Sequence, residues 1–171
     1  MNGLVVTGSF SSLILLISVS FHLLTSIAPV CTTELGEFAR REAEFKRRNV
    51  KLLGISINEL KDHHTWIRDI NEIHSCNLSY PIIADNDFKV AQAYGMIDQA
   101  TESKELPYTV RSLFFIDPSK KVRAIISYPA STGRNVNEVI RVLDSLQLCD
   151  KQKVATPANW TPGKEGLVLS N

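Results

Sequence analysis

The sequence predicts an α/β fold, a mixed sheet flanked by helices. Three observations predict it. Apolar runs of strand length alternate with stretches of helical periodicity from about residue 29 to residue 148. The turn Asp117-Pro118-Ser119-Lys120 joins two apolar runs directly, which makes a hairpin beside strands that are otherwise linked by helices. The chain of 171 residues, 44% apolar and 22% charged, is long enough for one domain with a real core.

Each element follows in order. Pro29 suits the first position of a helix, because its φ is already helical and no amide there needs a partner. Leu35, Phe38, Ala39 and Phe45 then recur at helical spacing through Arg48. Residues 50–57 read as a buried strand, and residues 60–73 as a helix carrying Trp66, Ile70 and Ile73. Tyr80 to Asp85 is a short strand that ends in a turn. Phe88 to Tyr94 is a short helix closed by Gly95. Residues 112–116 and 122–127 are the two strands of the hairpin. Residues 135–148 form a helix with Val136, Val139, Ile140, Leu143 and Leu146 on one face. From Lys151 onward, Pro157, Pro162, Gly163 and Gly166 suggest an extended arm.

The first 28 residues differ from the rest. Every Lys, Arg, Asp and Glu lies from Glu34 onward. The run Leu13 to Val19 is apolar, followed by Phe21 and Leu23-Leu24. Residues 1–28 read as a hydrophobic leader or replaced N-terminal segment, or else as a contribution of a buried strand. The run is shorter than the ~20 residues of a membrane-spanning helix and is broken by serines. Residues 29–149 then make the main domain, and residues 150–171 the arm. Two glycosylation sequons, Asn77-Leu78-Ser79 and Asn159-Trp160-Thr161, matter only for a secreted form.

Composition excludes several functions. The net charge of +1 argues against nucleic acid as a partner. The basic pairs Arg40-Arg41 and Arg47-Arg48 are interleaved with Glu37, Glu42 and Glu44, the pattern of a solvated helix face. Cys31, Cys76 and Cys149 are too widely spaced for a zinc site and too few for a disulfide framework. The four histidines read as surface residues or as satisfied helix residues. Cys31 by itself reads either as an inert buried small residue or as a reactive thiol. Two residues after Pro29, it falls in the first helical turn, where unpaired amides and the helix dipole favour a thiolate. A thiolate there attacks a peroxide O–O bond and becomes a sulfenic acid.

The segment Pro29-Val30-Cys31-Thr32-Thr33-Glu34-Leu35-Gly36 resembles the active-site segment of peroxiredoxins, specifically the one-cysteine (peroxiredoxin-6-like) subfamily. The resemblance runs to about Leu169. It includes Asp62-His63 with Trp66, Asp69-Ile70-Asn71, Tyr80 to Ile83, Tyr128 to Asn135 and Val154 to Trp160. It implies a thioredoxin-like fold and a thiol peroxidase acting on hydrogen peroxide and organic hydroperoxides, serving antioxidant defence. Cys31 matches the peroxidatic cysteine and Arg111 the arginine beside it. A guanidinium there would lower the thiol's pKa and polarise the peroxide. Glu34 would orient the arginine, and Arg134 could join that network. Neither Cys76 nor Cys149 sits in a resolving-cysteine motif. The family therefore implies no prosthetic cofactor and an external thiol reductant such as glutathione or thioredoxin, with a glutathione transferase as partner. It also implies a homodimer and a cytoplasmic location, membrane contact being expected only if a leader is retained.

The chain departs from the family ahead of the cysteine. Ala28 and Leu24 stand where the family motif has threonine and proline. The opening strands and the Gly-Asp-Ser-Trp-Gly motif of the subfamily are missing, and the last domain is short. The thioredoxin-like sheet is thus expected to be incomplete at its N-terminal strands. The alternative function is a catalytically impaired variant that acts by binding family partners.

Overall fold

A computed structural model describes residues 12–18, 29–97, 111–129 and 131–168 of the chain. The chain forms two compact units, residues 1–133 and 134–171.

The first unit is built on a five-stranded sheet. Its elements are β1 (Leu13–Ser18), α1 (Pro29–Arg40), α2 (Glu42–Arg47), β2 (Val50–Ser56), α3 (Leu60–His74), β3 (Ile82–Ala84), α4 (Lys89–Ala93), β4 (Arg111–Ile116) and β5 (Val122–Tyr128). The strand order is β3-β2-β1-β4-β5. β1, β2 and β3 run parallel, while β4 is antiparallel to β1 and β5 is antiparallel to β4. The apolar run at Leu13 is therefore the central strand. Its composition explains that position: uncharged and continuously apolar from Leu13 to Ile17, it can bury both faces.

Register sorts those faces. Leu15 lies opposite Phe115 and Ile17 opposite Leu113, and all four are fully buried. The alternate residues Leu16, Phe114 and Ile116 join Ile55, Ala91 and Met96 in a second cluster on the opposite face, with Ile14, Leu53 and Val90 packed against it. α4 is thereby tied to that second face. Its start is held by Asp85, whose carboxylate accepts from the amides of Val90 (2.9 Å) and Ala91 (2.7 Å).

The helix expected to run from Pro29 to Arg48 is interrupted at Arg41. No Gly or Pro marks that point, so the cause is tertiary. Phe38 and Phe45 are both fully buried and their ring centroids are 5.6 Å apart. Seven residues of straight helix would separate them by about 10.5 Å along the axis. The break lets both rings share one core.

α1 packs closely on α3. A Cβ built on Gly36 would lie 2.6 Å from Cγ and 2.9 Å from Cβ of His74. Those atoms sit close to the His74 backbone and cannot swing aside. Gly36→Ala is therefore expected to destabilise the chain, since the ~1–3 kcal/mol of overpacking outweighs the ~1 kcal/mol of helix propensity that alanine adds. A lower urea midpoint, measured by circular dichroism with an unchanged slope, checks this; an unchanged or higher midpoint contradicts it.

The second unit contains α5 (Val136–Gln152), β6 (Val154–Ala155) and β7 (Leu167–Val168). The Asn135 side chain caps α5 by accepting from the amides of Asn137 and Glu138. Val136, Val139, Ile140 and Leu143 are its buried residues. The segment read as an extended arm is more ordered than that. β6 and β7 pair antiparallel, and Trp160 is buried with its indole N–H donating to the Lys164 carbonyl at 2.9 Å. Among the described residues no helix is long and apolar enough to cross a membrane.

Candidate active site

The topology brings the site together. In a β1-α1-β2 unit of parallel strands, the helix begins at the carboxyl ends of the strands. Cys31 in the first turn of α1 therefore lies at that end. β4 runs antiparallel beside β1, so its first residue, Arg111, reaches the same end. Glu34 follows Cys31 by three residues and shares its face of α1.

The geometry confirms this convergence. Arg111 Nη2 donates to Cys31 Sγ at 2.5 Å. Arg111 Nη1 lies 3.5 Å from Glu34 Oε2, an ionic contact longer than a hydrogen bond. All three residues are buried; Cys31 is 2% exposed and Arg111 1%. Among the described residues Nη1 has no hydrogen-bond partner, so the guanidinium keeps a donor uncommitted. A buried arginine stands where its positive charge meets one carboxylate and one thiol. That arrangement stabilises negative charge on sulfur.

The turn that carries Cys31 is held from α3. Trp66 Nε1 donates to Thr32 Oγ1 at 3.1 Å, and both residues are buried. The sequence placed Trp66 on a helix face and among the residues of the family resemblance, without assigning it a contact. The link to Thr32 spans 34 residues and leaves no local signal.

The other candidates fall elsewhere. Cys76 is half-buried; its thiol contacts the Ile70 carbonyl and Asn71 Oδ1, and burial pushes its pKa up, opposed weakly by Arg40. Cys149 lies on α5 in the second unit. Arg134, buried, is the first residue of that unit. Ala28 and Leu24 lie outside the described residues. No group of three or more His, Cys, Asp or Glu among the described residues could hold a metal ion.

One expectation is corrected. His63 is neither a surface nor a satisfied histidine: it is 2% exposed, and among the described residues neither ring nitrogen has a hydrogen-bond partner. The spacing of His63, Trp66 and Ile70 placed it on the buried stripe of α3, a signal that its polarity masked.

Comparison with known proteins decides the family. The AhpC/TSA family model matches residues 19–125, which include Cys31, Glu34 and Arg111. The chain belongs to the AhpC/TSA family, the peroxiredoxins. The model of the C-terminal domain of one-cysteine peroxiredoxin matches residues 145–169 and places it with the one-cysteine members. The chain is 52% identical to a one-cysteine peroxiredoxin of Dictyostelium discoideum, over 82% of its own length and 57% of the relative's. It is 46% identical to peroxiredoxin-6 of Rattus norvegicus, over 82% of its own length and 65% of that protein's. It thus spans little more than half of the Dictyostelium peroxiredoxin. Among solved structures, a cysteine-to-serine mutant of the peroxiredoxin 6 of Arenicola marina superposes with a TM-score of 0.84 at 42% identity, covering 92% of this chain and 71% of that one. A yeast mitochondrial one-cysteine peroxiredoxin, described as resolved through glutathione/thioredoxin systems, gives 0.81 at 43% identity, covering 92% of this chain and 74% of that one. These neighbours carry the thioredoxin-like peroxiredoxin fold expected from the sequence.

Proposed function

We propose that this chain is a thiol peroxidase that reduces hydrogen peroxide and organic hydroperoxides at Cys31. The observation that carries the reading is the buried contact of Arg111 with Cys31 Sγ, backed by Glu34. The guanidinium holds the sulfur as thiolate. The thiolate attacks the proximal peroxide oxygen, the O–O bond breaks, and the sulfur becomes a sulfenic acid. The leaving oxygen departs as water or an alcohol after taking a proton. Arg111 Nη1 supplies a donor for an oxygen that gains charge as the bond breaks.

An external thiol then condenses with the sulfenic acid, releasing water and forming a mixed disulfide. A second thiol returns Cys31 to its reduced form. Glutathione or thioredoxin fills that role in this reading, consistent with the description of the yeast relative. Cys76, half-buried, hydrogen-bonded and with its thiol pKa raised, is poorly suited to resolve Cys31. The reading includes a homodimer and a cytoplasmic location, both drawn from the family.

Titration of the reduced chain with hydrogen peroxide, in the absence of reductant, tests it. The expected result is about one equivalent consumed per chain, with a sulfenic acid trapped at Cys31 by dimedone. Peroxide left unconsumed with Cys31 still reduced would overturn the proposal and leave the chain a non-catalytic family member.

A further inference from the structure

His63 is the fourth residue of α3, three elements after the helix that carries Cys31, yet at the same end of the sheet. α3 follows β2 as α1 follows β1, so both helices start at the carboxyl ends of parallel strands. Two contacts set how the helices lie together. Trp66 bonds to Thr32, and His74 packs on Gly36 farther along. His63 is one turn before Trp66, on the side toward the start of α1, and its ring centroid is 6.4 Å from that of Trp66. The helix face that grips the Cys31 turn therefore carries a buried imidazole whose nitrogens have no hydrogen-bond partner among the described residues.

An unsatisfied buried imidazole is tolerable when neutral and much less so when charged. We propose that neutral His63 is the positioning residue that keeps the Cys31 turn closed, and that its protonation opens the α1–α3 contact and exposes Cys31 to bulky thiols. The proposal rests on Cys31 being the redox thiol for its purpose, but the opening itself does not.

The surrounding charges support this direction. Burial pulls the pKa of His63 below the ordinary 6.5; of its neighbours on α3, Asp62 opposes that shift and His64 adds to it. α1, packed on α3, carries Cys31, Glu34, Glu37 and Arg40; Cys31 and Glu34 are engaged by Arg111, and Glu37 pairs with Arg40 at the surface. β3, which also packs on α3, carries no titratable side chain. No carboxylate contact with His63 is present among the described residues to hold a buried imidazolium in place. The sign follows. An opened, solvated His63 takes up a proton near pH 6.5, before the closed one does, so falling pH favours the open form. The closed form is fully favoured above that value and loses ground below it, by up to about tenfold per pH unit.

Two readouts on the full reduced chain test this, neither of which involves peroxide. The first is hydrogen exchange of amides 33–38, referred to those of Leu113 to Phe115, between pH 7.5 and 5. The second is the rate at which a bulky maleimide labels Cys31, taken as the ratio of wild type to His63→Phe at the same pH so that the thiol's own ionisation cancels. Expected is a wild-type loss of α1 protection approaching tenfold per pH unit below about pH 6, absent in His63→Phe, and a labelling ratio that rises in step. His63→Gln serves if the Phe variant does not fold. Equal pH dependence in wild type and the non-titrating variant, or a wild type with no pH dependence, overturns the proposal. A chain that opens as expected but consumes no peroxide would instead count against the peroxidase reading alone.

Discussion

Cys31→Ser is expected to consume no peroxide above the buffer background, while the chain stays folded. The serine oxygen takes nearly the same place as the sulfur and can accept the same hydrogen bond from Arg111, so the buried guanidinium keeps a partner. Its stability loss should stay near the ~1 kcal/mol typical of a point change. What is lost is the nucleophile. A hydroxyl does not ionise at neutral pH as a thiol beside a guanidinium does, and it is a far poorer nucleophile toward the peroxide O–O bond. The remaining thiols offer no substitute in the site: Cys76 is held by Ile70 and Asn71 with a raised pKa. A stopped-flow assay of peroxide loss, with thermal unfolding run on the same sample, checks both halves. Undiminished consumption in Cys31→Ser would mean that the reactive thiol lies elsewhere.

Arg111→Met separates two jobs of one side chain. The guanidinium is the charge beside the thiol and also the partner of Glu34, and all three groups are buried. Loss of one charged donor at a reacting centre lowers the rate by about 10²–10³-fold. Independently, removing the cation from beside the buried Glu34 carboxylate destabilises the fold, by up to about 3–5 kcal/mol, the cost of a broken buried pair. The double change Arg111→Met with Glu34→Gln removes the carboxylate's charge as well. It is expected to recover most of the stability while the rate of Cys31 oxidation stays low. Urea unfolding and single-turnover oxidation, measured on all three chains, distinguish the effects. A double variant that regains the rate as well as the stability would show that Arg111 acts through the fold and not on the thiol.

Much of the architecture was legible along the chain, because burial imposes a period on each segment. The strand at Val50, the hairpin about Asp117 to Lys120 and the long helix after Arg134 all stand where apolar spacing and turn residues put them. The Cys31 turn was legible for a different reason. Its chemistry needs a thiol at a helix start, and Pro29 marks that start. Arg111, 80 positions away, could be connected to it only through resemblance to a family. Local periodicity says that Arg111 belongs to a strand and nothing about what the strand's end faces.

The role of residues 13–18 shows the limit most clearly. An uncharged apolar run is compatible with a leader or with a strand buried on both faces. Only pairing with β2 on one side and β4 on the other distinguishes them. The Arg41 break, the Trp66 bond to Thr32 and the buried state of His63 are of the same kind. Each depends on which residue from elsewhere in the chain arrives alongside. The sequence by itself determined the element types from Pro29 through the last long helix and the family, and it marked Cys31 as the candidate reactive thiol, because these rest on residue order and local spacing. Tertiary structure alone decided that an arginine, a carboxylate and a thiol would share one dry site, and that an imidazole would be buried near it, because burial and charge pairing are properties of neighbours in space.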